Sequence, residues 1–406
     1  MPVAPILALL SYSTLFPNNR QPSHGVFVEN RLRHLRESGA VDLRVIAPVP
    51  WFPSADPRFG HYAVYAGVVP AEERHGVPVR HPRYVTLPKI GLIVAPLLLA
   101  LGSFGAFRRA LSERDADLID AHYFYPDGVA AALLAMLFRK PVVITARGTD
   151  INFIPRYLLP RLMIKWAARR AAAIITVCQA LRDTLIELGV PGDKVHVLRN
   201  GVALEHFSPG DRAAARLALG LAGSRLTMAS VGHLIERKAH DLVIQALPHL
   251  PEADLMIAGE GPERAALEAL AEKLGVASRV RFLGAVAFAR MPDVYRAADL
   301  LVLASSREGW ANVLLEAMAC GTPVVASDVW GTPAGVQEPG AGRPVDQRRG
   351  AGAARKVRER VDAGRDREAT RRYAEGFSWD ATTSGQIDLF IRIVGGLRPG
   401  LAARQA

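Results

Sequence analysis

Cysteine is nearly absent from this chain. Its 406 residues include only Cys178 and Cys320, far apart in sequence and without the spacing of metal ligands. A disulfide framework and a cysteine zinc site are therefore excluded as organising features. Two isolated thiols suit a reducing cytosol, where we expect both to be buried as small apolar groups.

Long apolar runs are also scarce. The longest begins at Ile90, is interrupted by Pro96 and extends over about 13 residues, which predicts a segment too short to span a bilayer. The first apolar run, VAPILALLSYS, has no Lys or Arg before it and no convincing cleavage site after it. We therefore expect a first β-strand there, not a signal peptide.

Acidic residues are under-represented in the first half of the chain. The formal net charge is +11, and residues 1–200 carry 24 Lys and Arg against 15 Asp and Glu. The segment Arg156–Arg170 interleaves basic residues with Leu, Met, Ile and Trp. This pattern is typical of a helix on an anionic membrane surface, where the short Ile90 run would be a second apolar contact, and equally of an ordinary solvated helix. Nucleic acid is not an expected partner, because no reader motif accompanies the charge.

Apolar strand-like runs alternate with helix-like segments along the whole chain. Examples are PILALLS, LIDAHYF and PVVITA before residue 200, and LTMASVG, LLVLASS and PVVASDV after it. This rhythm predicts α/β architecture with buried parallel strands in two doubly wound domains. We expect an N-terminal domain over residues 1–205, a second domain over 206–379, and a C-terminal helix at 380–396 that returns to the first domain.

Two glutamates mark the candidate site of the second domain. In REGWANVLLEAMACGTP, Glu308 lies in the loop after a buried strand and Glu316 about one turn inside the following helix. Ligands of open α/β sheets bind outside the carboxyl ends of the strands, where helix N-termini offer unpaired N–H groups. Glu308 is placed to meet a sugar and Glu316 to accept from ribose hydroxyls, whereas the plainer reading has Glu316 on a solvated helix face.

Three further loops follow strands in the second domain. Arg237 and Lys238 precede a helix and together favour a diphosphate. The turn AGEGPER includes Gly261, which permits close approach of backbone to a ligand. Leu283 and Gly284 end another strand, where main-chain groups are able to pair with a nucleobase.

The first domain has its own candidates at strand ends. His122 follows one strand and could contact a sugar hydroxyl or act on a proton, or serve only as a hydrogen-bonded filler. Arg147 and Asp150 follow the next strand, in RGTD, and a long polar turn ends at Gly25, facing phosphate or acceptor. The DAD sequence at 115–117 precedes a strand, at the wrong end of the sheet for a metal site, so no metal or other cofactor is expected.

These motifs resemble those of the family-4 retaining glycosyltransferases with the GT-B fold, of the polysaccharide-building type. The resemblance rests on EGWANVLLE, GHLIERKAHD, the GEGP turn, FPNNRQPSHGVFVENR, DAHYFYPDG and RGTD, and covers about residues 7 to 394. It implies two Rossmann-like domains facing across a cleft. One departure is Ala334 or Gly335, where such enzymes usually carry a glutamate.

The resemblance implies roles for individual residues. Arg237 and Lys238 would bind the donor diphosphate, Glu308 the donor sugar, Glu316 the ribose, and His122 would lie at the reaction centre. Arg147 and Asp150 are assigned to the acceptor or the cleft. The full set assigned to donor binding is Gly25, Gly261, Leu283, Gly284, Gly309, Trp310, Asn312 and Glu316.

The sequence therefore predicts metal-independent transfer of a sugar, with retention, from a UDP- or GDP-sugar to a glycan or lipid-linked acceptor. We expect a cytoplasmic protein at the inner face of a membrane, in cell-surface polysaccharide biosynthesis. A nucleotide-sugar epimerase of similar two-domain architecture is the alternative. A dinucleotide-binding protein is disfavoured, because G-x-G-x-x-G follows none of the predicted strands.

Overall fold

The computed structural model describes residues 7–87, 90–221, 225–329, 331–332, 342–345, 350–364 and 366–397. The chain forms two compact units. The first comprises Met1–Asn200 together with Asp380–Ala406, and the second comprises Gly201–Trp379.

The first unit alternates strands and helices. Its strands are β1 (Leu7–Tyr12), β2 (Val41–Ile46), β3 (Val49–Pro50), β4 (Ala71–Arg74), β5 (Val77–Arg80), β6 (Arg83–Tyr84), β7 (Leu118–His122), β8 (Val142–Ala146), β9 (Ala173–Thr176) and β10 (Val195–Val197). Its helices are α1 (Val26–Glu37), α2 (His61–Ala66), α3 (Gly91–Glu113), α4 (Val129–Phe138), α5 (Thr149–Asn152), α6 (Leu158–Arg170) and α7 (Gln179–Glu187).

The main sheet of the first unit has the strand order β10-β9-β8-β7-β1-β2-β5-β4. All neighbours pair in parallel except β4 and β5 at one edge. The chain builds outward from β1 in one direction through β2 and in the other through β7. The carboxyl ends of β1 and β7 therefore flank the point where the strand order reverses, the usual ligand position in such sheets.

The second unit repeats this plan. Its strands are β11 (Leu226–Val231), β12 (Ala253–Ala258), β13 (Val280–Gly284), β14 (Leu300–Leu303), β15 (Val324–Ser327) and β16 (Gly342–Val345). Its helices are α8 (Arg212–Ala218), α9 (His240–Ala246), α10 (Arg264–Lys273), α11 (Met291–Ala297), α12 (Asn312–Ala319), α13 (Gly350–Asp362) and α14 (Arg367–Glu375). The all-parallel sheet has the order β13-β12-β11-β14-β15-β16, so the strand order reverses between β11 and β14.

The C-terminal helix, α15 (Trp379–Leu397), packs into the core of the first unit. Leu389, Phe390 and Val394 belong to the same buried cluster as Leu9 of β1 and Leu32 of α1. Burial of each such large apolar side chain contributes about 1.5–3 kcal/mol to folding. The first unit is thus built from two separate stretches of the chain.

Helix α3 corrects the prediction made for the Ile90 run. The helix passes through Pro96 and continues to Glu113, for 23 residues. Its length and mean hydropathy of 1.7 would suffice to cross a membrane, although a core helix of a soluble protein passes the same test. Only 28% of its apolar window is buried. The predicted run ended at Gly102, whereas the helix continues through residues 103–113, where Phe104 and Phe107 lie among more polar residues.

Candidate active site

The site of the second unit is built by two loops at the reversal of its strand order. One loop follows β11 and includes Gly232, Arg237 and Lys238; the other follows β14 and includes Glu308. The backbone N–H of Ser306 donates to the carbonyl of Arg237 at 2.9 Å, which joins the two loops. Residues far apart in sequence therefore share one edge of the sheet.

Lys238, Arg237 and Glu308 form an ion cluster. The Lys238 Nζ lies 2.6 Å from Glu308 Oε1, and Arg237 Nη1 lies 3.6 Å from Glu308 Oε2. Arg237 Nη1 also donates to the carbonyl oxygen of Arg307 at 2.9 Å. Glu308 is only 6% exposed, so the cluster holds two cations around one buried carboxylate.

The charge state of Glu308 follows from these neighbours. Burial by itself raises the pKa of a carboxyl group, but the Lys238 ammonium, helped by Arg237, outweighs it and lowers the pKa of Glu308 below its ordinary value. Glu308 is therefore ionised at neutral pH. The cluster carries one net positive charge, which suits an anionic ligand.

Glu316 lies on α12 and is held by a tyrosine. The Tyr295 hydroxyl of α11 donates to Glu316 Oε2 at 2.6 Å. Burial raises the pKa of Glu316 to about 7, and the tyrosine hydrogen bond opposes this only partly. Glu316 is thus a partly buried group that titrates near neutrality. Sequence reasoning missed Tyr295, because nothing in its sequence pattern points to α12.

His240 is a second residue that sequence reasoning missed. It begins α9, and its Nδ1 lies 2.8 Å from Ser230 Oγ, while its Nε2 lies 3.3 Å from the carbonyl oxygen of His233. Burial lowers the pKa of His240 to about 4, so the ring is neutral. A neutral ring has one N–H: Nδ1 accepts from the Ser230 hydroxyl, and Nε2 donates to the carbonyl of His233. These two bonds hold the start of the loop that carries Arg237 and Lys238.

The GEGP turn after β12 packs against the same loop. A Cβ on Gly259 would lie 1.9 Å from the carbonyl oxygen of Gly232, and one on Gly261 would lie 2.4 Å from that of Leu234. The close approach predicted for Gly261 is thus an approach to the protein's own backbone. The N–H of Leu234 donates to the carbonyl of Glu260 at 2.9 Å, completing the contact.

The remaining residues assigned to the donor lie around these loops. At the end of β13, Phe282 pairs with Ile257 of β12 and Gly284 pairs with the next residue, Ala258, so Leu283 has no partner in the ladder. This bulge turns the Leu283 main chain away from the regular ladder. Gly309 precedes Trp310, which is 8% exposed and packs near Phe377, while Asn312 begins α12.

The first unit places His122 at the end of β7 in a buried ring of side chains. Its Nδ1 lies 2.8 Å from Arg147 Nη2 and its Nε2 lies 3.1 Å from Asp120 Oδ2. A guanidinium only donates, so Nδ1 accepts and the proton is on Nε2. Burial lowers the pKa of His122, and the Arg147 guanidinium adds to this effect. The Asp120 carboxylate raises the pKa but does not outweigh burial, so the ring is neutral at pH 7.

Three residues that sequence reasoning missed close this ring. Gln386 of α15 donates from Nε2 to Asp120 Oδ2 at 3.2 Å and accepts from Arg31 Nε at 2.7 Å. Asn200 Oδ1 accepts from Arg31 Nη1 at 3.4 Å and from Arg147 Nη1 at 3.1 Å. Burial lowers the pKa of Arg147 to about 9 and that of Arg31 to about 10.

Asp150 supports the loops that carry His122 and Arg147. Its carboxylate accepts from the backbone N–H groups of Phe124 at 2.6 Å, Arg147 at 3.1 Å and Gly148 at 2.6 Å. Asp150 is fully buried. Asp150 therefore stabilises the backbone of both loops, and its assignment to the acceptor or the cleft stays a prediction.

Asp127 and Gly25 organise the loop after β1. Asp127 accepts from the backbone N–H and the hydroxyl of Thr14, and burial raises the pKa of this carboxyl to about 7. Gly25 has a left-handed backbone (φ 70°) at the start of α1, and a Cβ there would lie 2.3 Å from the carbonyl of Leu15. Only glycine fits this approach.

The two aspartates of the DAD sequence lie before β7. Asp115 pairs with Lys140 at 2.6 Å, and Asp117 Oδ2 accepts from the backbone N–H of Ala8 at 2.9 Å. In the described ranges, no group of three or more His, Cys, Asp and Glu side chains could hold a metal ion.

The structure therefore gathers the candidates into two sets. Arg237, Lys238 and Glu308 are in direct contact, and Glu316 lies on the helix that follows Glu308. Gly25, His122, Arg147 and Asp150 belong to the first unit. Ala334 and Gly335 lie outside the described residues.

Two family models match the chain. The model described as Glycosyltransferase Family 4 matches residues 24–206, and the one described as Glycosyl transferases group 1 matches residues 211–377. The two matches together cover most of the chain, and they meet close to the division between the two units. The protein belongs to the family-4 glycosyltransferases.

Solved structures with the GT-B fold match the chain almost from end to end. Sucrose-phosphate synthase from Thermosynechococcus elongatus superposes with a TM-score of 0.80 at 18% identity, over 96% of this chain and all of that one. Anabaena HepE in complex with UDP-glucose gives 0.69 at 20% identity, over 94% and 98%. These identities establish the fold alone, which is GT-B.

Curated relatives are similar over shorter stretches. The D-inositol 3-phosphate glycosyltransferase of Mycobacteroides abscessus is 38% identical over 213 residues, 50% of this chain and 48% of the relative. That of Mycobacterium sp. strain KMS is 42% identical over 159 residues, 38% and 36% of the two chains. The aligned part of this chain spans about half or less of the length of these relatives.

Proposed function

We propose that this protein is a retaining, metal-independent glycosyltransferase that takes a hexose from a nucleotide-sugar donor. The observation that carries the proposal is the cluster of Lys238, Arg237 and Glu308 at the reversal of strand order in the second unit. Its net positive charge and its place outside the strand ends suit a sugar diphosphate. Membership of family 4 supports the same reaction.

In the proposed reaction, the bond between the anomeric carbon and the β-phosphate oxygen breaks, and its electron pair passes to that oxygen. Arg237 and Lys238 stabilise the negative charge that develops there. The acceptor hydroxyl forms the new bond from the same face, through an oxocarbenium-like state, and its proton passes to the departing phosphate. Glu308 holds the two cations and accepts from hydroxyls of the sugar.

The proposed acceptor is a glycan or a lipid-linked glycan in cell-surface polysaccharide biosynthesis. The proposed location of the protein is the cytoplasm, at the inner face of a membrane. Support comes from the basic first half of the chain and from the likeness in fold to WaaG, a glycosyltransferase involved in lipopolysaccharide biosynthesis (TM-score 0.67, 18% identity, 95% of this chain and 99% of that one). The curated relatives are named for D-inositol 3-phosphate, so the alternative acceptor is a soluble phosphorylated polyol.

The test is transfer by the purified protein. UDP-glucose and GDP-sugars are offered with lipid-linked glycan acceptors and with D-inositol 3-phosphate, and nucleotide release and the anomeric configuration of the product are measured. We expect nucleotide release that depends on the acceptor, and a product that keeps the anomeric configuration of the donor. Conversion of the donor sugar without any acceptor would favour an epimerase, and inversion would overturn the proposed mechanism.

A further inference from the structure

Helix α3 carries an exposed apolar stripe on the first unit. Ile90, Ile93, Leu97, Leu101 and Phe104 recur at intervals of three and four residues, which places them on one face of the helix. Leu97 is 52% and Leu101 74% exposed. Exposure of so many large apolar side chains in one row is unusual for a protein surface that only water covers.

The opposite face of α3 is fixed to the unit. Leu99, Ser103 and Phe107 are fully buried, and Ser103 Oγ lies 3.1 Å from the Tyr12 hydroxyl of β1. The stripe from Ile90 to Phe104 extends for about 21 Å along the helix axis. Because one face is anchored, α3 lies along the surface of its unit with the stripe on its exposed side.

Helix α6 extends the apolar surface. Leu158, Leu159 and Leu162 are 60%, 47% and 53% exposed. The Tyr125 hydroxyl donates to the carbonyl of Leu92 in α3 and lies 3.9 Å from Met163 Sδ in α6. This contact brings the first turn of α3 beside the first turns of α6. The stripe on α3 and these three leucines are called the α3–α6 face below.

Basic residues border the α3–α6 face. The α3 stripe is followed by the exposed Arg108 and Arg109, and Arg161 lies exposed among the leucines of α6. Arg109 pairs with Glu113, the one acidic residue of α3. From Ile151 to Arg182 the sequence contains no Asp or Glu. An apolar strip with a cationic border complements the headgroup and acyl boundary of an anionic bilayer.

We propose that the α3–α6 face inserts into the surface of a bilayer that contains anionic phospholipid. The proposal deepens the proposed function and rests on it for its purpose, which is to meet a lipid-linked acceptor. It extends the expectation from sequence, in which the basic segment 156–170 binds the anionic surface and the short Ile90 run is a second apolar contact. Insertion of leucines makes part of the binding resistant to salt, since salt screens charges but not apolar burial.

Flotation of the full chain with vesicles tests this inference. Vesicles of phosphatidylcholine with phosphatidylglycerol are compared with phosphatidylcholine alone, at low and high ionic strength. Leu97→Asp and Leu101→Asp are each expected to lower partitioning about tenfold, because each removes one inserted leucine. The matched control is Leu217→Asp, at an 80% exposed leucine of α8 in the second unit, and it should bind as the parent does.

A second experiment detects insertion directly, by fluorescence quenching, and does not depend on a loss of binding. Leu101→Trp should become quenched by lipids that carry a spin label in the upper acyl chain, whereas Leu217→Trp should not. Absence of quenching at position 101, or equal binding of the Leu101→Asp and parent proteins, would overturn the proposal. A dimer in solution that Leu101→Asp dissociates would assign the face to a second copy instead. Sugar transfer to a soluble acceptor is measured in parallel, so that failure of insertion and failure of the proposed reaction are told apart.

Discussion

Lys238 determines the charge state of Glu308, and this single contact supports the most direct prediction. In Lys238→Ala, the nearby ammonium that outweighs burial is gone, so the pKa of Glu308 rises and the cluster loses a cation. The activation free energy should rise by about 2–4 kcal/mol, as on loss of other preorganised charges, and turnover should fall accordingly.

Steady-state kinetics with the donor measure this effect, and Lys273→Ala, at an exposed lysine of α10, is the control. Unchanged kcat/KM in Lys238→Ala would remove the diphosphate assignment.

Glu316 gives a prediction of pH dependence. Its pKa is raised to about 7, so the carboxyl is largely protonated at lower pH and charged at higher pH. A charged carboxylate accepts more strongly from ribose hydroxyls. The donor KM should therefore fall as the pH rises from about 6 to about 8.

The measurement is the pH profile of the donor KM. It should flatten in Glu316→Gln and shift to higher pH in Tyr295→Phe, because the tyrosine hydrogen bond lowers the pKa of Glu316. Asp127, the pKa of which is also about 7, lies in the first unit, and Asp127→Asn should leave this profile in place. A profile that survives in Glu316→Gln would contradict the assignment.

At the scale of elements, α15 holds the ring around His122 through one side chain. Gln386→Ala would remove the acceptor of buried Arg31 Nε and one of the two contacts of buried Asp120 Oδ2, which would keep only His122 Nε2. The free energy of unfolding should fall by about 2–4 kcal/mol, the usual cost of unpaired buried polar and charged groups. Chemical denaturation measures it.

The control is Gln179→Ala, at a glutamine of α7 with an exposed hydrogen bond to Asp183. If the two variants lose equal stability, the ring does not contribute as described.

The sequence predicted most of the elements but not these contacts. Every strand predicted from an apolar run is present, because buried parallel strands have continuous apolar sequence. The strands β3 to β6 and β16 were missed: they are two to four residues long, and β4 is the polar edge sequence AEER. The proximity of Glu308 to Arg237 and Lys238 could be predicted because strand ends meet at one sheet edge, and their role in donor binding stays a prediction. The pairing of Gln386 with Arg31 joins residues 355 positions apart and leaves no local pattern.

At the scale of the whole molecule, the two units have separate buried cores and separate candidate sites. The proposed diphosphate site lies entirely within the second unit, since Arg237, Lys238 and Glu308 all belong to it. A nucleoside diphosphate that binds only the folded second unit should therefore stabilise that unit, by about 2.7 kcal/mol at a ligand concentration of 100 times Kd.

Hydrogen exchange with and without UDP or GDP tests this expectation along the whole chain. Protection should increase in the loop after β11, in the loop after β14 and in the strands themselves, because the ligand opposes every opening that breaks its site. The core strands β1 and β2 of the first unit should exchange at unchanged rates. Lys238→Ala should lose the added protection, whereas Lys273→Ala should keep it. If the nucleotide instead protects β1 and β2 and leaves the loop of Arg237 and Lys238 unchanged, the diphosphate site lies in the first unit and the ion cluster is structural.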